Sequence, residues 1–214
     1  MKAIVKQFKQ LLLIVVFLRF IAPAFAQHNS KPVSEKRKVF YQLLKDADLK
    51  FVYPSGFREL SPVDDEDYSY DFAMELPGHD FEVWLQVKPG VQNWASYEHA
   101  RHNNHFELAN PDSLYTDMGK ADAMSLGADN NFLVRTMPPE VLERYNADAG
   151  KSYLINLADL EITKHYKYAL IVALQKYHMG TVVAVYFTNQ RDADFYREVY
   201  HAAHCLQFIS PTTN

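Results

Sequence analysis

Tyr168–Thr188 reads YALIVALQKYHMGTVVAVYFT, and this stretch decides the fold. Two apolar runs, ALIVAL and VVAVYF, flank His178-Met179-Gly180, where the chain turns. The spacing predicts a hairpin of Tyr168–Tyr177 against Thr181–Thr188. Strands so continuously apolar offer no face to water, so they are expected in the middle of a sheet covered on both sides.

Outward from that hairpin, Tyr68, Tyr70, Phe72, Met74 and Leu76 alternate with Ser69, Asp71, Ala73 and Glu75. Pro77-Gly78-His79-Asp80 turns the chain, and Phe81, Val83, Leu85 and Val87 alternate with Glu82, Trp84, Gln86 and Lys88. This period of two predicts a second hairpin with one buried face. A helix is expected from Ser34, its candidate cap, with Val39, Phe40, Leu43, Leu44 and Ala47 as its buried stripe. Another spans Asn93–Ala109, with Asn93 as N-cap and Pro111 beyond its end. A third covers Arg191–Gln207, with Phe195, Val199, Ala202 and Leu206 facing the core. Phe51–Tyr53 reads as a short strand stopped by Pro54-Ser55-Gly56, and Ser152–Leu157 as another. Pro138-Pro139 opens a short helix that Gly150 ends, whereas Pro111–Asn131, rich in Asp, Gly and Asn, reads as a loop with room for a short strand. The expected fold is α+β: an antiparallel sheet built from hairpins, with helices packed on its faces as an α/β/α sandwich.

The N-terminus has a different character. Lys2, Lys6 and Lys9 precede Leu11–Leu18 (LLLIVVFL), and Ala24-Phe25-Ala26 supplies small residues where a signal peptidase reads. Arg19 breaks the apolar run far short of the roughly 20 residues a spanning helix needs. No cysteine stands directly after the run, which excludes the usual bacterial lipid attachment. Residues 1–26 are therefore expected to be a cleaved signal peptide, 27–33 a short tether and 34–210 a single α+β domain, placed in the periplasm or secreted.

Cys205 is the one cysteine of the chain, so no internal disulfide forms and packing alone must hold the fold. Aromatic side chains serve that purpose, with 14 Tyr, 14 Phe and 2 Trp. Loss of Lys2, Lys6, Lys9 and Arg19 with the leader takes 22 basic residues to 18 against 26 acidic ones, a net charge of −8. That balance argues against nucleic acid and against anionic membranes as nonspecific partners, and no membrane insertion is expected after cleavage.

Three clusters invite a chemical reading. His99, His102 and His105 recur every third residue on a predicted helix, but at ~100° per residue the outer two diverge by about 120° and cannot meet one ion. Glu98, Arg101 and His105 instead share the stripe of Trp94, which makes Trp94, Glu98, Arg101 and His105 candidate ligand-binding residues. Glu98, His102 and His105 are the runner-up metal set. In Tyr145–Tyr153 (YNADAGKSY), a polar loop would present Asn146, Asp148 and Lys151. His201, His204 and Cys205 lie along the last helix, with both histidines off the core stripe and two ligands too few for a metal. Asp64-Asp65-Glu66-Asp67 is an acidic loop without the alternate spacing of an EF-hand. The nucleophile-elbow, zinc-protease, dithiol, dinucleotide and phosphate-loop signatures are all absent.

Phe51-Val52-Tyr53-Pro54-Ser55-Gly56-Phe57, followed by hairpins and a terminal helix ending in Leu206-Gln207-Phe208-Ile209, resembles the PsbP-like family in its order of parts. The resemblance implies an α/β/α sandwich used as a non-enzymatic accessory or protein-binding module, exported in several branches. The chain departs from that layout in its long first helix and in Asn146–Gly150. The function expected is thus an exported, non-enzymatic binding or accessory protein with no cofactor, whose partner is a protein or a small molecule. Two rivals are a periplasmic or secreted hydrolase, perhaps metal-assisted, and a structural component of the cell envelope. A binding module predicts an apolar patch or an open sheet face, and an enzyme predicts a deep cleft at Glu98, Arg101 or His105.

Overall fold

The computed structural model describes residues 33–61, 68–103 and 109–209; the expected leader, most of the tether and the acidic run Asp64–Asp67 lie outside them. At the centre is the hairpin of β7 (Tyr168–Lys176) and β8 (Gly180–Thr188), in register from Tyr168↔Thr188 to Lys176↔Gly180. β8 pairs outward with β4 (Phe81–Pro89), then β3 (Phe72–Glu75) and β2 (Arg58–Leu60). β7 pairs outward with β6 (Ala149–Asn156) and then the edge strand β5 (Leu133–Thr136). Every pairing in this seven-stranded sheet is antiparallel. A two-stranded ribbon joins β1 (Leu49–Phe51) to β9 (Leu206–Phe208) near the chain ends.

Both faces of the sheet are covered, which explains the unbroken apolar runs. On one face Val83, Leu85, Val182, Ala184 and Tyr186 pack with Phe40 and Leu44 of α1 (Val33–Asp46) and Phe195 and Ala202 of α5 (Ala193–Ala203). On the other, Trp84, Ile171, Ala173, Val183 and Phe187 pack with Ala123 and Leu126 of α3 (Leu114–Leu126). Each fully buried Phe, Leu or Val contributes roughly 1.5–3 kcal/mol, so two such layers hold the fold without a covalent staple. Asp192 caps α5, its Oδ1 accepting from the Phe195 N–H at 2.9 Å.

The structure departs from the sequence pattern at several places. α1 begins at Val33, before Ser34, and turns Val39 outward at 59% exposure, while Phe40, Leu43 and Leu44, with Ala47 just past its end, face the core. α2 (Val91–Asn103) begins two residues before Asn93, which is therefore not its cap. β3 starts only at Phe72, because the Asp71 carboxylate replaces a ladder acceptor: its Oδ2 accepts the Val87 N–H at 2.7 Å. The second hairpin is buried on both faces, with Ala73 and Trp84 inside as well as Met74 and Val83. Glu82 is buried too, its carboxylate satisfied by Trp84 Nε1 at 2.7 Å and Lys164 Nζ at 2.5 Å. Pro111–Leu126 is not a loop but a 3-10 turn (Pro111–Ser113) leading into α3. The short helix α4 (Pro139–Tyr145) ends at Asn146, in the left-handed region at φ 51°, and Gly150 lies inside β6. Leu206 belongs to β9, not to the last helix.

Candidate functional site

Among the described residues, those singled out in the sequence lie in separate parts of the fold. On α2, Trp94 stacks on the His178 imidazole, with ring centroids 3.7 Å apart and planes at 14°. Glu98 pairs with Arg101 of the same helix at 3.3 Å, and the Arg101 guanidinium lies over the Tyr97 ring. His102 Nδ1–H donates to the Glu98 carbonyl at 2.7 Å and sits 3.9 Å from its carboxylate. His105 lies outside the described residues. Among the described residues no three His, Cys, Asp or Glu side chains are grouped to hold a metal.

The second group also carries structure. Asn146 Nδ2–H donates to the Phe208 carbonyl at 2.9 Å. Asp148 takes Lys176 Nζ at 2.9 Å and the Tyr177 N–H at 2.9 Å. Lys151 shares its side of β6 with Tyr153, opposite Gly150, so the three do not face a common space. Asp112 reaches the same β7–β8 turn from the far side, accepting the His178 N–H at 2.8 Å and Gln175 Nε2 at 3.1 Å. Trp94, Asp112 and Asp148 therefore converge on one hairpin turn, which they brace.

At the end of the chain, His201 meets Phe57 edge-on at 5.6 Å, and His204 Nδ1–H donates to the Tyr200 carbonyl at 2.6 Å. Cys205 is buried, and burial pushes its thiol up to about 12. That thiol stays protonated at ordinary pH, the opposite of what a nucleophile needs.

A candidate site lies where the cover of the sheet runs out. α1 lies over β4 and α3 crosses β6, β7 and β8 on the opposite face. Between α4 and α5, above β5–β7, this leaves a cleft of about 430 Å³. Its deeper lining is apolar: Leu154, Leu170 and Val172 from the sheet, Met137 and Val141 beside α4, Val199 and Ala203 from α5. Exposed side chains ring it: Arg135 from β5, Arg144 from α4, and Tyr196, Tyr200 and His204 from α5 and its end.

Local sequence explains the placement. Pro138 is extended and Pro139 occupies the first helical turn, where its missing N–H costs nothing. Asn146 then turns the chain and ties the end of α4 to β9. Gly150 lets α4 settle on the sheet, since a Cβ there would stand 2.8 Å from Met137 Sδ and 3.0 Å from Leu142 Cδ2. Beneath the cleft Tyr145 is buried, and that burial pushes its hydroxyl up to about 12, so it stays neutral. Arg144 lies over the Tyr200 ring at 5.4 Å, and the Tyr200 and His204 rings meet edge-on at 4.4 Å. The sequence signal for this wall is the stripe Tyr196, Tyr200, His204 at every fourth residue, which flanks the core stripe of the same helix. Apart from His204, which lies off the core stripe of its helix, no candidate side chain drawn from the sequence lines the cleft among the described residues.

No family model matches the chain, and no curated protein matches it in sequence. Among solved structures it is similar to the solution structure of cyanobacterial PsbP (CyanoP) from Synechocystis sp. PCC 6803. The two are 11% identical, the match covers 77% of this chain and 88% of that one, and the TM-score is 0.41. The likeness is one of fold.

Proposed function

We propose that this chain is an exported, non-enzymatic binding or accessory protein whose ligand occupies the cleft between α4, α5 and β5–β7. The observation that carries the reading is the cleft itself: about 430 Å³, inside the roughly 300–1,000 Å³ range of small-molecule sites. Its interior is mostly aliphatic, with Ser152 of β6 and the buried Tyr145 also lining it, and its charged groups stand at the mouth, the arrangement expected where apolar burial supplies affinity and a few polar contacts supply orientation. Export is supported by the basic, apolar and small-residue zones of Met1–Ala26.

The test is binding of the neutral apolar dye Nile red to the purified protein, followed by fluorescence. Ala203→Trp and Leu154→Trp each fill the cleft from a different wall, and both should weaken dye binding tenfold or more while the far-UV spectrum is kept. Equal binding by wild type and both variants would remove the cleft from consideration.

A further inference from the structure

The cleft has an electrostatic character opposite to that of the chain. The sequence carries 26 acidic residues against 22 basic ones, yet the lining includes Arg135, Arg144 and His204 and no Asp or Glu. Elsewhere on the surface four of the five other described arginines pair with carboxylates, Arg37 with Glu59, Arg58 with Glu75, Arg101 with Glu98 and Arg197 with Asp194, while Arg191 lies over the Tyr168 ring. Among the described residues neither Arg135 nor Arg144 has such a partner, and Arg144 rests on the face of Tyr200 instead. A guanidinium laid on an aromatic ring is fixed in direction and keeps its N–H donors for a ligand. Two arginines on separate elements, β5 and α4, thus stand at the mouth of an aliphatic cavity without an internal counter-charge.

From this we infer that the ligand is an amphipathic anion, a hydrocarbon body in the aliphatic interior with a carboxylate head at Arg135 and Arg144. This rests on the reading of the cleft as the binding site and adds the chemistry of its occupant. A planar guanidinium takes a carboxylate in two parallel N–H···O bonds, which selects that head over an alcohol or an ammonium of equal chain length. His204 has Nδ1 engaged with the Tyr200 carbonyl, so its Nε2 is the ring nitrogen left for solvent or ligand.

Competition with bound Nile red separates the possibilities, using dodecanoate, dodecanol and dodecylammonium below their aggregation concentrations. Dodecanoate should bind at least tenfold more tightly than dodecanol, and dodecylammonium more weakly than either. Arg135→Gln and Arg144→Gln should each cut dodecanoate affinity several-fold, and by more than they change dodecanol affinity. In the double variant the preference for the anion should vanish. Equal affinities for dodecanoate and dodecanol in the wild type would overturn the inference and leave the apolar cleft standing. That comparison needs no variant to fold. Dye binding insensitive to Ala203→Trp would instead sink the cleft reading as well. A concentration-dependent dimer in sedimentation, abolished by Ala203→Trp, would assign the cleft to a second copy of the chain and also overturn the inference.

Discussion

Asp122 of α3 interacts with the nearby Tyr70 hydroxyl, yet among the described residues neither Asp122 Oδ2 nor the Tyr70 hydroxyl makes a well-formed hydrogen bond. A carboxyl placed this way resists ionisation. Burial pushes Asp122 up to about 7, and the nearby Tyr70 hydroxyl and Lys88 charge only partly offset it. The ordinary value for an aspartate is 3.8, so between those values the unfolded chain releases a proton that the folded chain keeps. Stability is therefore at its fullest below about pH 4 as far as this group is concerned, and is lost as pH rises towards about 7. At ~1.36 kcal/mol per pH unit the loss is capped at about 4 kcal/mol. Asp122→Asn should flatten that slope and raise the melting temperature at about pH 8. Melting curves for wild type and variant that run parallel from about pH 4 to pH 8 would show that the carboxyl ionises freely in the folded protein.

At the scale of elements, α3 shows what periodicity does and does not reveal. Its buried positions are Gly119, Ala123 and Leu126, one face at spacings of four and three. Glycine and alanine carry that face, so the helix gives almost no hydrophobic period, and the surrounding Asp and Gly residues read as a loop. Small residues are needed there because the helix rests on β6 and β7. A Cβ on Gly119 would stand 2.6 Å from Tyr153 Cε2 and 2.9 Å from Ala173 Cβ. Neither neighbour yields easily, since the Tyr153 hydroxyl donates to the Thr116 carbonyl at 3.1 Å and Ala173 belongs to a central strand. Helix propensity alone favours alanine over glycine by roughly 1 kcal/mol, whereas overpacking a tight site costs roughly 1–3 kcal/mol. The clash wins, and Gly119→Ala should lower the urea midpoint, with a rise showing that α3 is loosely seated. The hairpins were legible because their pattern is local and repeats every two residues. The cleft was not, because Leu133, Arg144 and Tyr200 come from three elements that only the folded chain brings together.

For the whole molecule, the sheet needs both of its layers, and the cleft is the part of one face that they leave open. A ligand site of this kind does not require export, so location has to be argued from the N-terminus. Lys2, Lys6 and Lys9, the run Leu11–Leu18 and the pair Ala24 and Ala26 occur in the order a secretion signal requires. Among the described residues no helix is long and apolar enough to cross a membrane. Cleavage after Ala26 would remove four positive charges and no negative one, taking the net charge from −4 to −8. The processed protein should then be recovered from the periplasm or medium with Gln27 at its N-terminus, by intact-mass measurement. Replacing Ala24 and Ala26 by Phe should block processing, because the peptidase accepts only small side chains there, and the precursor should accumulate in the membrane fraction. An intact N-terminus on soluble cytoplasmic protein would end the export reading, and with it the expectation that the ligand is met outside the cytoplasm.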